Sequence, residues 1–265
     1  MTSPGSDTVT PMSEPAADLL VPVPARGRVF ATQRRVRFGD VSPGGRARFD
    51  ALAAYVQDLA WDDTSDSALP DESAWVVRRS VFEVHSPPTF GELLALQTFC
   101  SGLGGRWAER RVTMHGDQGA RVESTSLWVR IDAETGRPRP LTDLFLATYA
   151  EAATGRRVSA KLQHDTSPPD DLPEHGWPLR FSDFDLLGHV NNAASWCVVE
   201  QRLAAVPWLA PPYRAELEYR DPIERTADVV VADHLESDGL RVWVFDAQSS
   251  ANYLTALVTP LTRQV

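Results

Sequence analysis

The chain has 265 residues, 43% of them hydrophobic and 23% charged, with a formal net charge of −10. That length is ample for one or two domains with a buried core, and the negative balance argues against general nucleic-acid binding. No apolar run approaches eighteen residues, so no membrane-spanning helix is expected. The two cysteines, Cys100 and Cys197, lie in apolar contexts with no metal-ligand spacing, and read as reduced, buried thiols. In chain order, residues 1–24 are rich in Pro, Ser, Thr and acidic residues and lack the basic and apolar regions of a signal peptide. A disordered tail on a cytoplasmic protein is the expectation. Residues 28–38 read as a strand, Gly44 and Gly45 as a turn, and 48–60 as a helix, on the recurrence of Ala51, Ala54, Tyr55 and Leu59. Four extended stretches follow near 74–85, 92–104, 106–115 and 119–132. In the last, Val122, Leu127, Val129 and Ile131 stand among polar neighbours, and GDQG at 116–119 suits a hairpin connection. Residues 133–176 form a linker dense in Pro and Asp, with a short helix from Thr142 to Ala153. A strand (177–183), a helix (191–204) and four more strands (213–221, 227–236, 239–248, 251–261) then repeat the plan.

The repetition is also visible in the letters. Aligned without a gap at an offset of 143, Arg37/Arg180, Phe38/Phe181, Asp40/Asp183, Gly45/Gly188, Ala51/Ala194 and Val56/Val199 coincide. Six identities stand in twenty positions where average composition predicts roughly one. Further on, Glu83/Glu218 and Pro87/Pro222 align as well. Each half is strand, helix, then four strands, antiparallel by their short connections. Two such units joined edge to edge, each sheet wrapping a central helix, give an α+β fold of the double (tandem) hotdog type, without exposed edges at the join. The expected domains are an N-terminal hotdog at 25–132 acting as scaffold and a C-terminal hotdog at 177–265.

The second copy carries Asp185, His189, Asn191 and Asn192 where the first has Ser42, Arg46, Arg48 and Phe49. Gly188 permits a tight turn, and the helix beginning soon after leaves backbone N–H groups that can hold an oxyanion. Asp185 can activate water or attack a carbonyl, His189 can hold a proton, and Glu200 follows about three helical turns after His189. The same residue types also serve as turn acceptors and helix caps. The bland copy at 40–49 lacks the His and both Asn, which marks the second copy as specialised.

The segment DFDLLGHVNNAASWCVVE resembles the D-x-N-x-H-V-N-N segment of acyl-acyl-carrier-protein (acyl-ACP) thioesterases of the plant and bacterial type, and the D-x-x-G-H-V-N-N segment of 4-hydroxybenzoyl-CoA-thioesterase-like hotdogs. RVESTSLWVRIDAETGRPRPL and ELEYRDPI resemble further strands of the acyl-ACP enzymes. The resemblance spans about residues 28–261. It implies a thioesterase acting on fatty acyl thioesters of acyl carrier protein or coenzyme A, without cofactor or metal. Asp185 and His189 fall on the family's catalytic positions, with Asn191 and Glu200 as further candidates and the Gly188 and His189 amides as oxyanion hole. The family's Asn of D-x-N-x-H falls on Leu187 and its Glu-Cys pair on Pro222-Ile223, so Asp221, Glu224 or Glu200 stands open as the substitute carboxylate. The acyl chain is expected between helix and sheet, with Trp61, Trp75, Trp107, Trp128 and Trp196 as lining or core.

Arginines at 34/35/37, 78/79, 106/110/111 and 156/157 read as solvated faces or as a docking patch for an acidic carrier. No nucleic-acid or membrane partner is expected, and pairing into a homodimer stays open. Two rivals remain. A hotdog hydratase or dehydratase of enoyl or β-hydroxyacyl thioesters would use D-x₄-H spacing, absent here. An acyl-thioester-binding module would keep the fold without the chemistry.

Overall fold

The computed structural model describes residues 20–67, 69 and 74–261; the expected tail lies outside them up to residue 19. Among these residues one antiparallel sheet of ten strands carries the fold: β1 (Phe30–Arg35), β2 (Ala74–Ser86), β3 (Leu93–Leu103), β4 (Trp107–Gly116), β5 (Arg121–Ile131), β6 (Glu174–Gly176), β7 (Tyr213–Tyr219), β8 (Val229–Glu236), β9 (Gly239–Asp246) and β10 (Asn252–Pro260). Their spatial order is β1-β3-β4-β5-β2-β7-β10-β9-β8-β6. Read from the two ends, the order is the same list twice, so the halves join through β2 and β7. Glu83 and Glu218 lie 135 positions apart, and Val81, paired with Glu216, therefore faces its own equivalent. An internal two-fold axis passes between those residues.

Among the described residues three α-helices accompany the sheet: α1 (Phe49–Asp66), α2 (Asp143–Tyr149) and α3 (Trp196–Leu203). Helices α1 and α3 meet where the halves join. Phe49 stacks on Trp196 with centroids 5.2 Å apart, and Trp196 meets Phe82 edge-on at 5.1 Å. Trp196 is fully buried and Phe49 nearly so, in one core with Leu94, Met114, Val122, Leu217 and Val242. Each such aromatic pair adds about 0.5–1.5 kcal/mol beyond area burial, so the joint is a core, not a soft interface.

Most expected elements lie within one to three residues of those observed. Three differ. Helix α1 runs to Asp66 rather than ending near 60, because Asp63 is drawn inward by Arg28 at 2.6 Å and Arg110 at 2.5 Å. No strand forms at 177–183: the strand in that place is β6, which ends at Gly176, two residues before Pro178, which has no N–H to give a ladder; residues 181–183 form a 3₁₀ turn instead. Helix α3 begins at Trp196 and not near 191, because Asn191 caps a preceding turn: its side-chain oxygen accepts from the Ala193 N–H at 2.8 Å and its carbonyl from the Ser195 N–H at 3.0 Å.

The linker is packed, not free. Glu218, fully buried, accepts from the Gln163 and His164 amides at 2.5 and 3.0 Å, and the Trp243 indole N–H holds the Asp165 carbonyl. Helix α2 closes the first half, with Phe145 and Tyr149 against Trp75, Cys100 and Ala108. Among the described residues no helix is long and apolar enough to cross a membrane.

Candidate active site

The loop before each central helix is built twice on one hydrogen-bond plan. In the first half the Ser42 N–H donates to the Arg46 carbonyl (2.8 Å), the Gly45 N–H to Ser42 (2.9 Å), the Arg48 N–H to Asp40 (2.9 Å) and the Ala47 N–H to Pro88 (2.7 Å). In the second half the Asp185 N–H donates to His189 (3.0 Å), Gly188 to Asp185 (3.0 Å), Asn191 to Asp183 (2.8 Å) and Val190 to Ile223 (3.0 Å). Gly45 and Gly188 take the same left-handed conformation, φ 81° and 79°, which a glycine adopts without steric cost. The two loops share a backbone and differ in side chains.

Those side chains divide as follows. Asp185 is half-buried, and one of its carboxylate oxygens accepts from the Leu187 N–H at 2.9 Å, an Asx turn that orients the group. His189 is half-exposed, with Nε2 3.0 Å from a Glu224 carboxylate oxygen. Glu224 is thus the one of the three open carboxylates that faces the histidine. Asn191 is the turn cap described above. Leu187, in place of the family Asn, is exposed and contributes its backbone alone.

Two expected participants are occupied elsewhere. The Gly188 N–H closes the turn on the Asp185 carbonyl, so of the expected amide pair it is the His189 N–H that no backbone carbonyl engages among the described residues. Glu200 sits in a cradle made by the first half: Arg46 reaches it at 2.7 and 3.3 Å, and the Phe49 N–H at 3.2 Å. The equivalent of that Phe49 amide is Asn192, whose N–H has no acceptor among the described residues, while its carbonyl accepts from the Tyr219 hydroxyl at 3.0 Å. The Asn192 amide and the Tyr219 anchor escaped the sequence reading; the offset that pairs Asn192 with Phe49 was the available signal.

Space for a ligand lies in the first half. A cavity of about 840 Å³ is lined by Gln57, Trp61, Trp75, Trp128, Phe145 and Tyr149, among others. Against the second helix the interior holds a void of about 10 Å³ among Trp177, Val190, Cys197 and Val198. The larger space between helix and sheet is therefore on the side where α1 is long and α2 forms a roof. Of the five tryptophans, Trp61, Trp75 and Trp128 line it, Trp196 is core, and Trp107 donates its indole N–H to the Val158 carbonyl. Burial pushes the Cys100 thiol beside this cavity up to about 11, which keeps it protonated. Most of the arginine clusters are tied internally: Arg34 to Asp58, Arg79 to Glu216, Arg110 to Asp63, Arg111 to Glu123 and Arg156 to Glu109.

Comparison with known proteins places these observations. Residues 27–149 match the acyl-ACP thioesterase N-terminal domain and residues 166–256 the acyl-ACP thioesterase C-terminal domain. The uncharacterized protein Rv2001 of Mycobacterium tuberculosis is 31% identical over 224 residues, covering 84% of this chain and 89% of that one. Two solved structures share the fold. A 12:0-ACP thioesterase from Umbellularia californica has a TM-score of 0.72 at 20% identity, over 89% of this chain and 98% of that one. An acyl-ACP thioesterase from Bacteroides thetaiotaomicron has a TM-score of 0.71 at 18% identity, over 87% and 97%.

Proposed function

We propose a site and a mechanism for this chain on the premise that it belongs to the acyl-ACP thioesterase family and is a thioester hydrolase. The substrate is a fatty acyl thioester of acyl carrier protein. Its acyl chain lies in the 840 Å³ cavity of the first half, and its carbonyl meets the loop of the second. The free oxygen of Asp185 takes a proton from water as the water oxygen bonds to the carbonyl carbon. The negative charge that forms on the carbonyl oxygen is held by the Asn192 and His189 amides. The C–S bond then breaks, the acyl carbon keeps the new oxygen as a carboxylic acid, and the sulfur leaves with the proton. His189, with Glu224 against its Nε2, holds that proton in transit.

The observation that carries this reading is the contrast between two loops with one backbone plan. The first has an Arg46–Glu200 ion pair where the second has a His–Glu pair, an oriented carboxylate and an amide without an acceptor among the described residues. A positioned base contributes about 10²–10⁴ in rate, and a scaffold has no need of one.

The leaving carrier is acidic, as this chain is overall, so docking depends on local features. Around the loop, Phe181, Leu186 and Leu187 are exposed, Arg180 is largely exposed, and Arg225 lies over the rings of Phe181 and Phe184. An apolar tip with flanking guanidinium groups suits an acidic carrier helix. The test is thiol release from acyl-ACP and acyl-CoA side by side at varied salt. Asp185→Asn is expected to lose about 10²–10⁴ in turnover with unchanged melting. Full activity in that variant removes Asp185 from the mechanism.

A further inference from the structure

The internal two-fold axis carries one more consequence at the place where the halves exchange groups. In the first copy the cradle consists of the position-46 side chain and the position-49 amide, and it is filled from across the axis by Glu200 of α3. The offset that relates the loops carries Arg46 to His189, Phe49 to Asn192, and Glu200 back to Gln57 of α1. Gln57 is half-buried, its side chain makes no hydrogen bond among the described residues, and it lines the 840 Å³ cavity. Where the first copy is closed by an ion pair, the corresponding position of its mate holds a neutral amide, and the corresponding N–H has no acceptor among the described residues.

We propose that the Gln57 carboxamide is a catalytic residue: its NH₂ group donates, beside the Asn192 N–H, to the thioester carbonyl oxygen and to the oxyanion that replaces it. This rests on the hydrolase reading above and deepens it. The role explains the residue type. A carboxylate at this position, as in the other copy, would repel the developing negative charge, whereas an amide can stabilise it. It also joins the two parts of the site, because Gln57 belongs both to the wall of the cavity in the first half and, through the axis, to the loop of the second. The same symmetry accounts for one site per chain: the Arg46–Glu200 pair occupies the equivalent oxyanion position in the first copy, and no carboxylate stands at Ser42 to act on water.

The test compares Gln57→Leu, Gln57→Glu and Asp185→Asn with the unchanged protein, by thiol release from acyl-CoAs of graded chain length and by calorimetric binding of a non-hydrolysable acyl thioether. Loss of one oxyanion donor costs about 10²–10³ in kcat. Gln57→Leu is expected to show that loss equally at every chain length, with KM, thioether affinity and melting temperature little changed, and Gln57→Glu is expected to be slower still. If Gln57→Leu keeps kcat within twofold while Asp185→Asn is inactive, the Gln57 role is overturned and the hydrolase site stands. A loss confined to KM, or to some chain lengths, makes Gln57 a wall of the cavity only and also overturns the role. Full activity in Asp185→Asn overturns the site reading itself, independently of the result at Gln57.

Discussion

The Arg46–Glu200 pair predicts a stability effect with a calculable size. Glu200 has a side chain 11% exposed, and Arg46 one 26% exposed. Arg46→Met removes two of the three donors on that carboxylate and leaves the Phe49 N–H at 3.2 Å. Breaking a fully buried pair costs about 3–5 kcal/mol, mostly from the charge left behind. Here a quarter of the arginine surface is open, so water can replace part of the lost interaction, and about 2–3 kcal/mol is the expected loss. For a chain of this size that corresponds to roughly 5–10 °C in melting temperature. Glu200→Gln should cost only about 1 kcal/mol, because Gln still accepts from Phe49 and Arg46 retains the Ala47 carbonyl. The double variant should cost less than the sum by about 1–2 kcal/mol, since neither charge is then stranded. Urea unfolding and scanning calorimetry of all four proteins measure the cycle. A cost below about 0.5 kcal/mol for Arg46→Met, or strict additivity, would refute the argument that this pair locks the first copy to the second helix.

Three further outcomes are expected. Gly188→Ala and Gly45→Ala meet no neighbouring atom, so each should cost about 1–2 kcal/mol from the left-handed backbone alone, measurable as similar drops in melting temperature. Turnover per folded molecule should fall only for Gly188→Ala, because only that turn aims Asp185. Ala108→Phe places a ring in the cavity beside Cys100 and Trp128, and should shift the preferred substrate to shorter acyl chains in a chain-length series without lowering its kcat. Cys100, with its thiol raised to about 11 by burial, should resist alkylation in the native protein at pH 8, as read by mass spectrometry, and react once the chain is unfolded.

The sequence by itself determined the repeat, the order of elements and the loop that differs between copies. These are local properties: alternation marks β5, helical spacing marks α1, and the letters at 185–192 against 42–49 mark which half departs from scaffold. It singled out Asp185 and His189 because the groups proposed to act in this loop are neighbours along the chain. Tertiary structure decided everything that crosses the dyad. That Glu200 belongs to the first copy's loop depends on how two sheets join at β2 and β7, while folding within each half brings Glu224 against His189 and leaves the larger cavity beneath α1 rather than α3. The physical reason is that a carboxylate's role is set by the donors that reach it. For Glu200 those donors, Arg46 and the Phe49 N–H, come from the other half of the molecule, more than a hundred residues away.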